Sequence, residues 1–443
     1  MMIFMREATG LRMRGTTKKW LIRGVICVLS IVATIAVVLV VVNLMPQEAL
    51  LDRDIRGASA VHSAQFRYEV SHLPGPTVLD GNRITELQDG AESFPAMLAA
   101  IRGATRSVNF ETYVDWSGRV SREFASALED RARAGVPVHV MVDAIGGAKM
   151  DDAVVDQLRA AGVKFQFFHP LHWWTLDRLN NRDHRKILVV DGRIGFTGGI
   201  GIADEWAGDA RKPDHWRDMQ FQVEGPVVAQ MQAVFESNWI VTTGHVLYGP
   251  AYFPKLPPVG KSAAQMFSSS PDDGSENMQL MYLLAISAAN KSIDLEAAYF
   301  IPSSLIRKAL KAALKRGVRV RIIVPGAHVD SGLVDSASQA QWGTMLRAGA
   351  HIYRYQPSLF HCKMMIVDGY LTMVGSANFD DRSFRLNDEA NLNIYDPDFA
   401  AHMTQIFEQD LGRSRETTLQ QWRNRPWMRK VKDWLSSLTS SQL

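Results

Sequence analysis

Two segments of this 443-residue chain repeat one another. The first reads His184-Arg-Lys186-Ile-Leu-Val-Val-Asp191 and is followed by Gly198-Gly199 and then Arg217-Asp218. The second reads His361-Cys-Lys363-Met-Met-Ile-Val-Asp368 and is followed by Gly375-Ser376-Ala-Asn378 and then Asn387-Asp388-Glu389. In each copy an apolar run ends in Asp-Gly, a hairpin signal, so each reads as strand, turn and return strand. Residues two apart on a strand share a face. His184 therefore points with Lys186, and His361 with Lys363. Each copy sets a titratable ring beside a cation, and two copies facing each other make a pocket for an anion.

The repetition runs well beyond these motifs. Ser107–Tyr113 matches Ser292–Tyr299, Gly135–Val142 matches Gly317–Val324, and Ala161–Phe167 matches Ala348–Arg354. Between the first two lie the helical stretches Arg122–Ala134 and Ile306–Arg316, with apolar residues three and four apart. Asp218–Val223 matches Glu389–Ile394, each trailed by a proline (Pro226, Pro397) and a helix containing Phe-Glu. This alternation predicts an α/β fold of two sheet-and-helix halves, packed about a pseudo-twofold axis. The expected segments are a basic stretch 1–23, an apolar span 24–44, a juxtamembrane linker 45–81, a first half 82–248, a turn-rich connector 249–275, a second half 276–412 and a tail 413–443.

Residues 24–44 carry no charge and are rich in Val, Ile and Leu. As a helix they extend roughly 31 Å, about one hydrocarbon core. A cleaved signal peptide has a shorter apolar stretch and a small-residue cleavage site, which Asn43-Leu-Met-Pro46 does not supply. The reading is a retained anchor. Six basic residues (Arg6, Arg12, Arg14, Lys18, Lys19, Arg23) and one acid, Glu7, give residues 1–23 a charge of +5, so a total of +3 leaves −2 for the rest. The basic flank predicts a cytoplasmic N-terminus and an exported body. A near-neutral body lacks the electrostatic footprint of a nucleic-acid binder, and none is expected as partner. The two cysteines, Cys27 and Cys362, are too ill-placed for a disulfide framework.

Paired His-x-Lys motifs suit phosphodiester chemistry. A phosphodiester repels nucleophiles with its own charge, and Lys186 and Lys363 would offset that charge and stabilise five-coordinate phosphorus. One imidazole can attack phosphorus while the other protonates the leaving oxygen and then deprotonates the incoming alcohol or water. Each ring needs a carboxylate to fix its tautomer, and Asp218 and Glu389, at equivalent repeat positions, are the candidates. Lysine so close to histidine disfavours a bound cation, so no metal or other cofactor is expected. Asp191 and Asp368 end the motifs, where a turn role fits better than proton transfer. Cys362 should point away from its neighbours and pack.

With these residues in view, the chain resembles the phospholipase D superfamily, and within it the bacterial cardiolipin synthases. The resemblance rests on the paired His-x-Lys-x4-Asp motifs with their Gly pairs, and on Asn181-Arg-Asp-His184, Gly198–Trp206, Tyr299-Phe-Ile-Pro302 and Gly375–Phe384. It covers about residues 82–412. It implies a metal-independent phosphatidyltransferase whose catalytic set is His184, Lys186, Asp191, His361, Lys363, Asp368, Asp218 and Glu389. The residues alone leave the order of the two histidines open; the resemblance makes His184 the nucleophile and His361 the acid/base. Substrate contacts would come from Gly198, Gly199, Ser376 and Asn378. One departure stands out: the family usually has Asn three residues after the first Gly, and Asn378 fits, but Gly201 occupies that place in the first copy.

Three readings follow. The first is a synthase joining two phosphatidylglycerols with release of glycerol. The second is a hydrolase of phospholipid or, less well supported, nucleic acid. The third is a membrane-tethered binding protein without catalysis, which the intact motifs disfavour. Two stretches bear on lipid. Trp173-Trp174 suits an interface or a core. In the tail, Trp427, Met428, Val431, Trp434, Leu435 and Leu438 share a helical face that Arg429, Lys430 and Lys432 avoid. That pattern suits a helix lying on a membrane surface or docked on the body.

Overall fold

The computed structural model describes residues 15–44, 55, 57–73, 75–170, 180–271 and 277–438. Trp173 and Trp174, and the basic residues of the first fourteen, lie outside the described residues. The chain divides into two units, residues 1–49 with 172–180, and residues 50–171 with 181–443. The first contains the helix Gly15–Leu44, which begins nine residues earlier than the apolar run. Its segment Lys19–Val38 is long and apolar enough to cross a membrane, with every side chain exposed.

In the second unit, sixteen of the described strands form one sheet. At its centre Leu79–Gln88 and Ser262–Ser269 pair antiparallel, Leu79 opposite Ala264 and Asn82 opposite Ser262. Outward from this seam the first half runs through Met219–Glu224, Ile194–Gly198, Ile187–Val190, Val108–Thr112, Val138–Asp143 and Lys164–Phe168. The second half runs the other way through Asn387–Tyr395, Leu371–Gly375, Lys363–Val367, Ser292–Ala297, Arg319–Val324 and His351–Tyr355, with Ser414–Thr417 added at its edge. Strands that match in sequence thus occupy matching places, the order that two related halves require. Helices cover the sheet, and three apolar clusters fill the space beneath them. The motif strands are buried along their whole length, as strands covered on both faces must be.

Local chemistry sets the turns and helix starts. Asp191 and Gly192 adopt φ of +55° and +64°, as do Asp368 and Gly369, the positive-φ pair that opens each three-residue hairpin loop, 191–193 and 368–370. Ile187 then faces Thr197, and Met364 faces Val374. Pro397 opens the helix Pro397–Gly412, where its missing N–H costs nothing, and the Asp396 side chain caps the N–H groups of Asp398 and Phe399.

Three segments differ from the sequence reading. The expected connector 249–275 contains the central strand Ser262–Ser269; its Ser-Ala-Ala-Gln composition shows no apolar alternation, so the prolines before it dominate the reading. The expected linker 45–81 contains the helix Ala64–Val70, which buries Phe66 and Val70 in the core of the second half. The tail supplies the edge strand Ser414–Thr417 and the helix Trp427–Ser437, which packs along Gly332–Ala348. It docks through its polar side, and the apolar face points outward.

Candidate active site

Each histidine takes its acid from the opposite half. His184 Nδ1 lies 3.0 and 3.1 Å from the two carboxylate oxygens of Glu389. His361 Nδ1 lies 2.6 Å from Oδ2 of Asp218. The backbone imposes this exchange: the N–H of His184 donates to the Asp388 carbonyl at 2.9 Å, and that of His361 to the Arg217 carbonyl at 2.8 Å. Arg182 and Asp183 run parallel to Asn387 and Asp388, and Arg217 bridges to Phe360. The residues ahead of each histidine are thus stitched to the residues ahead of the other half's acid. Both hydrogen bonds engage Nδ1, so Nε2 is the ring nitrogen that neither acid holds, and at His361 Lys363 Nζ comes within 3.2 Å of it.

The two lysines curl back onto their own motifs. Lys186 Nζ donates to the His184 carbonyl at 2.8 Å, and Lys363 Nζ to that of His361 at 2.7 Å. Lys363 Nζ also lies 3.0 Å from Nδ1 and 3.2 Å from Nε2 of the His361 ring. All four motif side chains are buried. Burial, with the neighbouring lysines, brings His184 down to about 4 despite Glu389, and burial with Lys363 lowers His361. Burial and the charge of Lys363 bring Lys186 down to about 7. Burial alone would raise the Glu389 carboxyl, but His184 and Lys186 outweigh it and hold it at about 2. Asp218 is likewise held low against burial by His361 and Lys363. At neutral pH the site is two neutral imidazoles, each against an ionised acid, with cationic charge beside them.

The environments of the rings differ. Tyr113 meets His184 edge-on at 4.9 Å, whereas Trp206 and Trp216 flank His361, each at 5.4 Å. Ser376 Oγ donates to Glu389 at 2.5 Å and Asn387 Nδ2 donates to it at 3.2 Å. Asp218 instead accepts from Trp206 Nε1 at 3.0 Å and from the Met219 N–H at 2.8 Å. Gly199 stands where Ser376 stands in the other half, and a Cβ there would lie 2.2 Å from Asp218 Oδ1. Ser376 and Gly199 therefore shape the acids rather than line open space. Gly201 has a similar explanation: a Cβ would lie 2.9 Å from Val114 and 3.2 Å from the Trp206 ring. The indole that donates to Asp218 fills the room an Asn would need. Asn378 keeps its place, with a buried Oδ1 that no hydrogen bond satisfies.

Asp191 and Asp368 require correction as catalytic candidates. The Asp191 carboxylate accepts from the N–H groups of Thr105, Arg106 and Ser107, and that of Asp368 from Asn290, Lys291 and Ser292. Seven residues of extended chain place each roughly 20 Å from its histidine. They tie the hairpin turns to the preceding helix-to-strand connections and take no part in the pocket.

A second layer went unread in the sequence. Arg217, fully buried, pairs with Asp410 at 2.9 Å and with Asp89 at 3.2 Å. Asp89 Oδ1 also accepts the Asp218 N–H at 3.1 Å. The His184–Glu389 pair uses Arg185, whose guanidinium donates to the carbonyls of Val234 and Ser269 at 3.0 and 3.1 Å and lies 3.5 Å from Asp388. The arginine thus sits inside the motif at the His184–Glu389 pair, and ahead of the acid at the His361–Asp218 pair. Comparing Arg185 with Cys362, and Asp388 with Arg217, across the repeat would have flagged this exchange. Among the described residues one potential ligand trio, Glu296, Cys362 and Asp410, gathers within 4.8 Å. The Arg217 guanidinium already neutralises Asp410, and burial pushes the Cys362 thiol and the Glu296 carboxyl up, so the trio is a poor cation site.

The sequence model of the family described as "Cardiolipin synthase, PLD-like domain" matches residues 97–239 and 282–411, one segment around each motif hairpin. The chain belongs to this family. Membership makes it a phosphatidyltransferase or phosphodiesterase of the phospholipase D superfamily, as the motifs led us to expect. Similar curated proteins include a cardiolipin synthase of Geobacillus kaustophilus, 33% identical over 81% of this chain and 72% of its own. Cardiolipin synthase A of Pseudomonas syringae is 36% identical over 77% of this chain and 71% of its own. Among solved structures, a phosphatidylserine synthase of Haemophilus influenzae shares the fold at a TM-score of 0.68 and 15% identity, covering 86% of this chain and 99% of that one.

Proposed function

We propose that this chain is a membrane-anchored cardiolipin synthase that joins two phosphatidylglycerols through a phosphohistidine on His184. The observation that carries the reading is the exchange of acids between halves, which holds both rings through Nδ1 and leaves neither Nε2 bound to an acid, in a buried cluster with two lysines. In the first step His184 Nε2 bonds to phosphorus, the bond from phosphorus to the glycerol headgroup oxygen breaks, and His361 gives that oxygen a proton. Glycerol leaves. In the second step a headgroup hydroxyl of another phosphatidylglycerol gives its proton to His361, its oxygen bonds to phosphorus, and the phosphorus–nitrogen bond breaks. Cardiolipin leaves and both rings return to their starting states. Lys186 and Lys363 offset the phosphoryl charge throughout. Asn378, whose buried Oδ1 no hydrogen bond satisfies, is the further candidate to contact the same oxygens. His361 has its proton affinity lowered by burial, and a bound phosphodiester anion shifts it back toward the charged form that donation needs.

The names of the family relatives support the substrate, and the apolar helix with its basic N-terminal flank supports anchoring with the body on the exported side. Expression in membranes lacking their own cardiolipin synthase, with lipids resolved by mass spectrometry, tests the reaction. Cardiolipin from wild type and none from His184→Ala is expected; phosphatidic acid in its place would make the enzyme a hydrolase. Protease added to intact spheroplasts should cut the body; full protection would reverse the topology.

A pH profile follows from the charges. His184 must be neutral to attack, and burial keeps it so above about 4; Lys186 must be charged to stabilise phosphorus, and burial leaves it so only below about 7. kcat/KM, which reports the free enzyme, should rise as pH passes up through about 4, then fall as His361, lowered by burial, loses the proton it must donate and fall further as Lys186 loses its charge through about 7. An alkaline limb that stays flat to about pH 9 would remove both Lys186 and His361 from these roles.

A further inference from the structure

The helix Trp427–Ser437 is amphipathic and mounted with its apolar side outward. Asp433 is fully buried, held by Arg425 Nε at 2.8 Å and Arg429 Nε at 3.2 Å, and Arg429 also pairs with Asp335 of the helix Gly332–Ala348. Just before it, Trp422 Nε1 donates to the Gln339 carbonyl at 2.7 Å, and its ring lies where a Cβ on Gly343 would be, so that helix receives the tail only because Gly343 is bare. The polar side is therefore the fastened side. Trp427, Met428, Val431, Trp434, Leu435 and Leu438 all face solvent, the two tryptophans 73% and 60% exposed. Leaving six large apolar groups in water is unfavourable, and a contiguous patch of this kind marks an interaction surface.

Charge identifies what covers it. At about 100° per residue, the six apolar residues span one arc of the helix, with Lys430 just beyond one edge and Lys432 beyond the other. Both lysines are exposed. The one acid of the helix, Asp433, is consumed inward. A second copy of the chain packed on this face would bring lysines to lysines with no acid to meet them. A sheet of anionic phosphates meets both lysines, while their stems and the two indoles suit the boundary between headgroups and acyl chains.

We propose that the helix Trp427–Ser437 inserts its apolar face into the surface of an anionic phospholipid bilayer, a second membrane contact beside the N-terminal helix. The inference does not depend on the chemistry at His184, and its test reads insertion rather than turnover. The full chain carrying Val431→Cys in a Cys27→Ser background is labelled with an environment-sensitive fluorophore; Cys362 is fully buried and stays unlabelled. It is reconstituted into vesicles of phosphatidylserine and phosphatidylcholine, or of phosphatidylcholine alone. With phosphatidylserine present, quenching by acyl-chain nitroxide lipid and protection from aqueous iodide are expected, and both should be lost with K430E/K432E or in phosphatidylcholine alone. A label open to iodide places the helix in water, and one shielded from both quenchers places it against protein; either result overturns the proposal. So does equal nitroxide quenching in the two kinds of vesicle. Val431 lies in the exposed face, so labelling it leaves the packing side intact, and an unchanged melting curve verifies this.

Discussion

Replacing Glu389 with Gln should lower kcat by roughly 10³–10⁴-fold while the fold survives, because the orienting acid of a catalytic histidine has an effect of that order. Glu389 fixes His184 with Nδ1 as donor, and in the proposed reaction it stabilises the charge that the ring would acquire on bonding to phosphorus. A neutral amide keeps contacts to Ser376 and Asn387 but can present its own N–H groups to the ring, which turns Nε2 from nucleophile into donor. The acid acts through His184, so a purely structural role must be separated from positioning. Gln should depress kcat far more than it raises KM, should move the acid limb of the pH profile further down, and should leave the melting temperature within a few degrees. Asp218→Asn should behave alike through His361, which Asp218 holds at 2.6 Å. A ten-fold loss or less in both variants would separate the acids from the chemistry.

Arg217→Met should cost the folded state about 3–5 kcal/mol, the scale for removing one partner from a buried ion network. Asp410 and Asp89 would be left in the interior without their counter-charge, beside Glu296, which burial already pushes up. Burial works against charge on Arg217 itself, yet Asp410 and Asp89 outweigh it and keep the guanidinium ionised. The removed charge should therefore unbalance two acids at once. Urea denaturation followed by circular dichroism measures the loss. Adding Asp410→Asn should recover part of it, since a neutral amide no longer needs the guanidinium. A single-variant loss under about 1 kcal/mol would mean that water reaches these carboxylates and that the network contributes as little as a surface pair.

The parts of the site that were legible are those carried by local pattern. Asp-Gly after an apolar run gave both hairpins, and the two-residue spacing of His and Lys gave the pocket's content. The exchange of acids was not legible, because it depends on which strands meet at the seam. One of those strands, Ser262–Ser269, hides in a segment whose prolines speak for a connector. Arg217 pairs with residues 128 and 193 positions away, a separation that no periodicity reports. Resemblance also misled at one point: Asp191 and Asp368 belong to the motif as written, but their carboxylates are saturated by backbone N–H groups at the far end of the hairpin. Gly201 is the opposite case, a departure in sequence explained once Trp206 is seen occupying the space. The tail helix was legible as amphipathic, but not which side would be fastened, because that rests on Asp335 of a distant helix.

The central claim is a covalent phosphatidyl group on His184, formed before the acceptor lipid reacts. The direct measurement uses a phosphatidyl ester of p-nitrophenol, whose leaving oxygen needs no proton, with rapid acid-free quenching and peptide mass spectrometry. The His361→Asn variant should release one burst of nitrophenolate and carry the phosphatidyl mass on the peptide containing His184, while His184→Asn gives neither burst nor adduct. An adduct on His361 in the His184→Asn variant would reverse the roles of the two rings. A burst with no adduct on either histidine would contradict the covalent route.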